Sequence, residues 1–266
     1  MNAVAVGSGE IQVVAPCAAE VVDLTVHIDS TRRGAAPIRV LHQVDLALPA
    51  RSITALIGES GCGKSMLASA LTGLLPAGSH AEGIVRIGAQ ELGLNDRAWS
   101  GVRGRQVGLV PQGPATSFTP VRTLRSQLNE VIDILESSYT AKELCDAVGL
   151  GHEALGCYPH ELSGGMAQRA AVAAAIAGDP AVIVADEPTS ALDPALAHGI
   201  WELLADRARS GAAVLVISHD MDSLLAADVC SSIAVMRAGE IVTQQSPDAC
   251  ASDEDRYVAD FFVPVR

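Results

Sequence analysis

Apolar residues fall in short blocks separated by glycine, proline and polar clusters, and the period within the blocks changes along the chain. Val21 to Ile28 and Val40 to Leu48 predict two strands, separated by the polar turn Asp29-Ser30-Thr31-Arg32-Arg33-Gly34. Ile53-Thr54-Ala55-Leu56-Ile57 is a short apolar strand running into a glycine-rich loop, and Lys64 to Leu75 leaves that loop as a helix stopped by Pro76 and Gly78. Gly83 to Gly88 adds a strand bounded by glycines, and Val107-Gly108-Leu109-Val110 adds a buried one ending at Gln112. This first part predicts a small antiparallel sheet wrapped around one βα unit.

Beyond Gln112 the period lengthens. Leu124, Leu128, Val131, Ile132 and Leu135 make a helical stripe over 124–136, and Ala141 to Val148 predicts a second short helix. Ser163 caps an Ala-rich helix that runs to about Ala177 and stops at Gly178, Asp179 and Pro180. Buried strands then return at 181–185 and 214–217, with a helix from Pro194 to Arg209 between them. A closing hairpin spans Ser232 to Met236 and Glu240 to Thr243. The expected organisation is an α/β domain over 20–245, with its core in 20–112 and 179–245 and a helical subdomain in 113–178. Residues 1–19 are expected to fray, and 246–266 form a tail that Tyr257, Phe261 and Phe262 anchor.

Composition narrows the class of protein. With a net charge of −13 the chain lacks the basic footprint of a nucleic-acid binder, and it has no electrostatic hold on an anionic membrane surface. No window approaches eighteen uninterrupted apolar residues, and the start lacks the pattern of a secretory signal, so a cytosolic location is expected. The six cysteines include no C-x-x-C pair and predict free thiols without a metal or iron–sulfur site.

The chemistry is concentrated in three stretches. Gly58-Glu59-Ser60-Gly61-Cys62-Gly63-Lys64-Ser65, followed by Met66, fits a loop whose backbone N–H groups cradle phosphates, whose lysine reaches the β- and γ-phosphates and whose serine can bind Mg²⁺. The strand before it and the helix after it aim the helix's positive end at the anion. Within the loop, Cys62 is expected to be a reactive thiol if it is accessible. Four apolar residues followed by Asp186-Glu187 form the second stretch: the strand delivers Asp186 to the Mg²⁺ shell and Glu187 to the γ-phosphate, where it can polarise a water. The third is Leu162-Ser163-Gly164-Gly165-Met166, with Gln168-Arg169, where a serine and two glycines open a helix and make a second anion site. One ATP has one γ-phosphate, so this second element is expected to serve a nucleotide bound on another chain.

In order and spacing, the phosphate loop, Gln112, Leu-Ser-Gly-Gly-Met, Val184 to Asp193 and His219 resemble an ABC-transporter ATPase subunit over about Val21 to Gln245. The resemblance implies a P-loop NTPase (RecA-like) core with an N-terminal antiparallel β subdomain and an inserted α-helical subdomain, and ATP and Mg²⁺ as ligands. It implies that Lys64, Glu187 and His219 are the catalytic group, with Glu187 the base and His219 on the γ-phosphate. Ser65, Gln112 and Asp186 would hold Mg²⁺, Ser163, Gly164, Gly165 and Met166 would act across a dimer, and Asp193 would lie at its interface. The implied partners are a second ATPase chain, identical or related, two membrane permeases and an extracytoplasmic solute-binding receptor, with the chain peripheral on the cytoplasmic face of the membrane.

Met166, Tyr158-Pro159-His160-Glu161 and Gln112-Gly113-Pro114 leading to Ser117-Phe118-Thr119-Pro120 resemble the branch that imports oligopeptides, dipeptides and nickel. The chain ends soon after Phe262, without the cysteine-bearing extension of many peptide members, which tilts the expectation toward nickel or a metal chelate. No aromatic precedes Trp99, so the ring that usually stacks on adenine in this family is missing. Val40, or Arg32 or Arg33, is expected to cover the base instead. An exporter ATPase, a DNA-maintenance ATPase and a silent regulatory module are the alternatives. The compact 66–185 segment and the acidic balance weigh against the DNA-maintenance class, and the presence of Glu187 and His219 weighs against a silent site.

Overall fold

In the computed structural model, which describes residues 17–30, 36–93, 97–219 and 221–262, the chain builds two sheets and the helices that cover them. Strands β1 (Cys17–Ile28) and β2 (Ile38–Pro49) alternate buried and open positions, as a sheet with one dry face requires. They are followed by β3 (Ser52–Gly58), helix α1 (Lys64–Leu71), β4 (Ser79–Ile87), β5 (Gln90–Leu92), α2 (Trp99–Val102) and β6 (Val107–Val110). Helices α3 (Pro114–Ser117), α4 (Leu124–Leu135), α5 (Ala141–Ala147) and α6 (Gly164–Ile176) come next, with two short 3₁₀ turns and no strand over 114–176. The chain then runs through β7 (Val182–Asp186), α7 (Pro194–Ser210), β8 (Ala213–Ile217), α8 (Met221–Ala226), β9 (Ser232–Arg237), β10 (Glu240–Gln245), α9 (Pro247–Ala251) and α10 (Arg256–Ala259).

The first sheet is antiparallel in the order β2-β1-β4-β5. The second runs β10-β9-β3-β8-β7-β6, parallel throughout except for β10. Its central strands β7 and β8 are buried at every position, because both faces of a parallel sheet are covered. Alternate residues of β3 serve opposite layers: Ile53, Ala55 and Ile57 pack with α4 to α7, whereas Leu56 packs with α1 and the antiparallel sheet. The residues just past β3, β6, β7 and β8 therefore emerge along one edge, at the carboxyl ends of parallel strands, where open α/β sheets place ligands.

Helix α1 ends earlier than Pro76 and Gly78 predict. The Thr72 hydroxyl turns back onto the Ala68 carbonyl at 2.8 Å, Gly73 turns left-handed, and Arg103 collects the carbonyls of Thr72 and Gly73 at 3.1 and 2.7 Å. A stop built from an arginine thirty residues away leaves no local signature. Most of the predicted fraying segment, residues 1–16, and Arg32 and Arg33 lie outside the described residues. The tail is not loose over its described length: Cys250 and Val258 are buried in the larger core.

Candidate functional site

Gly58 and Gly63 show why the loop after β3 needs glycine. Both have left-handed backbones, and a Cβ on Gly58 would sit 2.2 Å from the Met236 carbonyl, one on Gly63 2.8 Å from the Leu41 side chain. The loop is thus pressed against β9 on one side and β2 on the other. Lys64 curls back into it, its Nζ donating to the carbonyls of Gly58 and Glu59 at 2.7 and 2.8 Å. This parks a full positive charge inside a ring of backbone dipoles, where an anion can replace the carbonyl partners.

The sheet brings the acidic pair beside this loop. Asp186 ends β7 with its carboxyl buried beside Ser65, the second residue of α1. Burial pushes the Asp186 carboxyl above its ordinary range, Glu187 adds to that, and Ser65 and Lys64 pull it back. A desolvated carboxylate paired with a hydroxyl is a hard-oxygen donor set of the type that takes Mg²⁺, a cation that keeps waters and phosphate oxygens for its remaining positions. Gln112 stands exposed two residues after β6, at the same sheet edge.

Glu187 takes a left-handed backbone (φ 54°), unusual for a residue with a side chain, and is only 7% exposed. Its conformation is held from both ends of its peptide. The Glu187 N–H donates to the Ile217 carbonyl at 2.9 Å, and its own carbonyl accepts from the Ser190 N–H, the Ser190 hydroxyl and the Gln168 amide. The carboxylate meets His219 Nδ1 at 2.7 Å, and since a carboxylate can only accept, that nitrogen carries the proton. Glu187 and His219 therefore form one polar unit at the tips of neighbouring strands.

Ser163, Gly164, Gly165 and Met166 form a separate face. Ser163 caps α6, its hydroxyl accepting from the Met166 N–H at 3.2 Å, and both Ser163 and Gly164 are exposed. The nearest neighbours of Gly164 and Gly165 are Ala191 and Leu192, and no residue of the phosphate loop is among them. Asp193 caps α7 through the Ala195 and Leu196 N–H groups at 3.0 and 3.1 Å, and it is exposed next to this same turn. The seven-residue run from Glu187 to Asp193 thus connects the acidic pair to the Ser163 turn, and Gln168, buried in α6, bonds to the Glu187 carbonyl at 3.4 Å.

Cys62 does not meet the accessibility on which its reactivity depends: it is buried, with its sulfur packed against Gly58 and 3.8 Å from Lys64 Nζ. Strand β2 does flank the loop, as the Val40 expectation requires, for the Val40 carbonyl lies 3.2 Å from where a Gly63 Cβ would be. Two residues earlier, Ile38 is 62% exposed, an apolar side chain on the Val40 face that sequence reading passed over. Tyr257 is the other omission, since its hydroxyl lies against the phosphate loop from 198 residues away. An aromatic in a polar tail was the available signal, and it showed anchoring without showing where.

A family profile for ABC transporters matches residues 41–190. Among curated relatives, the oligopeptide transport ATP-binding protein OppD of Mycobacterium tuberculosis is 38% identical over 234 residues, covering 84% of this chain and 37% of that protein. OppD of Lactococcus lactis subsp. cremoris is 34% identical over 78% of this chain and 64% of its own length. A probable D,D-dipeptide transport ATP-binding protein, DdpD of Escherichia coli, is 36% identical over 77% of this chain and 66% of its own. The chain therefore spans between 37% and 66% of the length of these relatives. Among solved structures, a dimeric ATP-binding cassette in a post-hydrolysis state with ADP and Pi aligns with a TM-score of 0.74 at 25% identity, over 86% of this chain and 98% of that one. A second dimeric structure of the same cassette aligns at 0.72 with 26% identity, over 86% of this chain and 98% of that one. Together with the two sheets, the glycine loop and the acidic strand end, these matches show that the chain belongs to the ABC transporter family.

Proposed function

We propose that the chain binds and hydrolyses ATP and thereby powers peptide import through membrane permease subunits. The observation that carries this reading is the convergence of Lys64, Ser65, Asp186, Glu187 and His219 on one edge of the parallel sheet, in a chain whose relatives are named for peptide transport. Lys64 and the loop N–H groups bind the phosphates, Ser65 and Asp186 with Gln112 hold Mg²⁺, and Glu187 takes the proton of the attacking water. His219 orients Glu187 and faces the γ-phosphate. When bound, Mg²⁺ would supply neutralisation of phosphate charge. The names of the relatives favour peptides over the nickel or metal chelate suggested by the shortness of the tail.

Partners are implied by two surfaces. Ser163, Gly164 and Asp193 are exposed on a face where Gly164 and Gly165 have no phosphate-loop residue against them, which fits two ATPase chains closing head to tail around two nucleotides. A groove of about 500 Å³ between α4 and the sheet edge, lined by Leu74, Leu109, Phe118, Val131 and Ile134, fits an apolar permease segment. Ile134, 63% exposed, stands on its rim. Among the described residues no helix is long and apolar enough to cross a membrane. In the proposed assembly the chain sits peripherally on the cytoplasmic face through this groove, with an extracytoplasmic receptor supplying the peptide.

The function is tested by co-purifying the chain with candidate permeases and measuring ATP-driven uptake of labelled peptide into vesicles. Lys64→Ala should weaken MgATP binding about tenfold to a hundredfold, the size of a charge-assisted hydrogen bond, and stop uptake. Peptide uptake that persists at the wild-type rate with Lys64→Ala would remove this chain from the energy-coupling role.

Nucleotide choice gives a second expectation. Aromatic stacking on a base contributes roughly 1–3 kcal/mol, and neither Val40 nor Ile38 can supply it or read the edge of adenine. GTP should therefore bind within about tenfold of ATP in competition titrations, a difference of about 1.4 kcal/mol. A preference for ATP beyond a hundredfold would require an adenine-reading contact elsewhere.

A further inference from the structure

The tail between Ser246 and Phe262 reaches the phosphate loop through the Tyr257 hydroxyl. Tyr257 Oη accepts from the Glu59 N–H at 3.4 Å and donates to the Met236 carbonyl at 3.0 Å, the same carbonyl that Gly58 is pressed against. The ring is held from several sides. The Arg237 guanidinium lies 5.0 Å from its centroid, Phe261 meets it edge-on at 5.3 Å, and Asp255 accepts from the Tyr257 N–H at 2.9 Å while pairing with Arg237 at 3.4 Å. Burial raises the phenol above its ordinary range, so the hydroxyl is neutral and keeps the proton it donates to Met236.

The peptide groups of the loop's first limb are thus claimed from opposite directions. Lys64 pulls on the Gly58 and Glu59 carbonyls, and Tyr257 holds the Glu59 N–H on the β9 side. The second limb has its own prop, the Gly239 N–H donating to the Cys62 carbonyl at 2.9 Å. Without the Tyr257 hydroxyl, the Glu59 N–H loses its partner while the Glu59 carbonyl keeps the inward bonds from Lys64 and from the Cys62 N–H at 3.3 Å, and the first limb loses the tie to β9 that opposes them.

We infer that Tyr257 is a positioning residue for the phosphate loop, through which docking of the C-terminal segment sets the affinity of the loop for nucleotide phosphates. The inference rests on the ATP-binding reading above. Tyr257 touches neither Glu187 nor His219 in the contacts of this chain, so its effect belongs to binding and not to the proton-transfer step.

Two variants of the full chain separate this from general tail stability. Tyr257→Phe keeps the ring, the Arg237 and Phe261 contacts and the Asp255 cap, and removes only the hydroxyl. Val258→Ala thins the buried packing of the same helix without touching the loop. In equilibrium titration with MgATP, Tyr257→Phe should raise Kd about threefold to tenfold, the range of one hydrogen bond. Val258→Ala should lower the thermal midpoint more than Tyr257→Phe does while leaving Kd within twofold. Kd unchanged in Tyr257→Phe while wild type binds MgATP overturns the inference, as does an equal loss of affinity in Val258→Ala. If wild type itself does not bind MgATP, the ATP-binding reading fails before the role of Tyr257 is reached.

Discussion

Glu187→Gln should slow MgATP turnover about 10²- to 10⁴-fold, the contribution typical of a positioned general base, and leave MgATP affinity within a few fold of wild type. The substitution isolates proton acceptance because the left-handed backbone of residue 187 is held through its own N–H and carbonyl. Its N–H on Ile217 and its carbonyl under Ser190 and Gln168 remain when the side chain becomes an amide. The amide oxygen still accepts from His219 Nδ1, so the 2.7 Å contact survives in kind while the carboxylate's charge and basicity are lost. His219→Ala does the converse: it leaves the base chemically competent but frees it to rotate, and an intermediate loss of turnover is expected. Both measurements belong to the chain assembled with its ATPase partner, as single-turnover phosphate release after nucleotide loading. Release from Glu187→Gln within twofold of wild type would mean that another group accepts the proton.

The same unit shows which features could be read from sequence and which could not. Lys64, Ser65, Asp186 and Glu187 lie in contiguous motifs, and contiguous motifs are legible because a loop or a strand end fixes the spacing of its own residues. Their convergence was also legible in outline, since the buried strands of a parallel sheet deliver the residues at their carboxyl ends to one edge. Strand β5 and helices α2 and α8 were not foreseen, being three, four and six residues long, too short for a period to register. Long-range side-chain bonds were out of reach for a different reason. Arg103 closing α1, Gln168 bracing the Glu187 carbonyl and Tyr257 tying down Glu59 each depend on a partner brought near only by the completed fold. Burial of Cys62 belongs with these, because the thiol lies in the core cluster that Leu41 of β2 and Met236 of β9 complete around the loop.

Gly164→Asp should abolish nucleotide-driven association of two ATPase chains while leaving the isolated chain folded and able to bind MgATP. At this position a new Cβ meets only the Ala191 methyl at 3.6 Å, an ordinary contact, and the glycine has no left-handed backbone that would strain another residue. The fold therefore tolerates the side chain, but a carboxylate now stands at the start of the 13-residue helix α6, where the proposed dimer would bring a phosphate of the facing chain to the helix N-terminus. Electrostatics decides the outcome. Two like charges about 4 Å apart repel by about 4 kcal/mol at an effective dielectric of 20, and burial between two chains removes the water that would screen them. In the proposed pair, ATP held between chains would bind the closed pair and not the separated ones, so each bound ATP would shift the equilibrium by linkage. Ser163→Arg should act in the same direction by a second route, losing the hydroxyl that caps Met166 and filling the anion site with a long side chain. Sedimentation in the Glu187→Gln background, which holds ATP without consuming it, provides the readout with an identical or a related partner chain. MgATP should convert Glu187→Gln to dimer and leave the Glu187→Gln, Gly164→Asp double variant monomeric, with its titrated MgATP affinity unchanged within twofold. A double variant that dimerises as readily as its parent would show that the Ser163 to Met166 face is not where the second nucleotide is held.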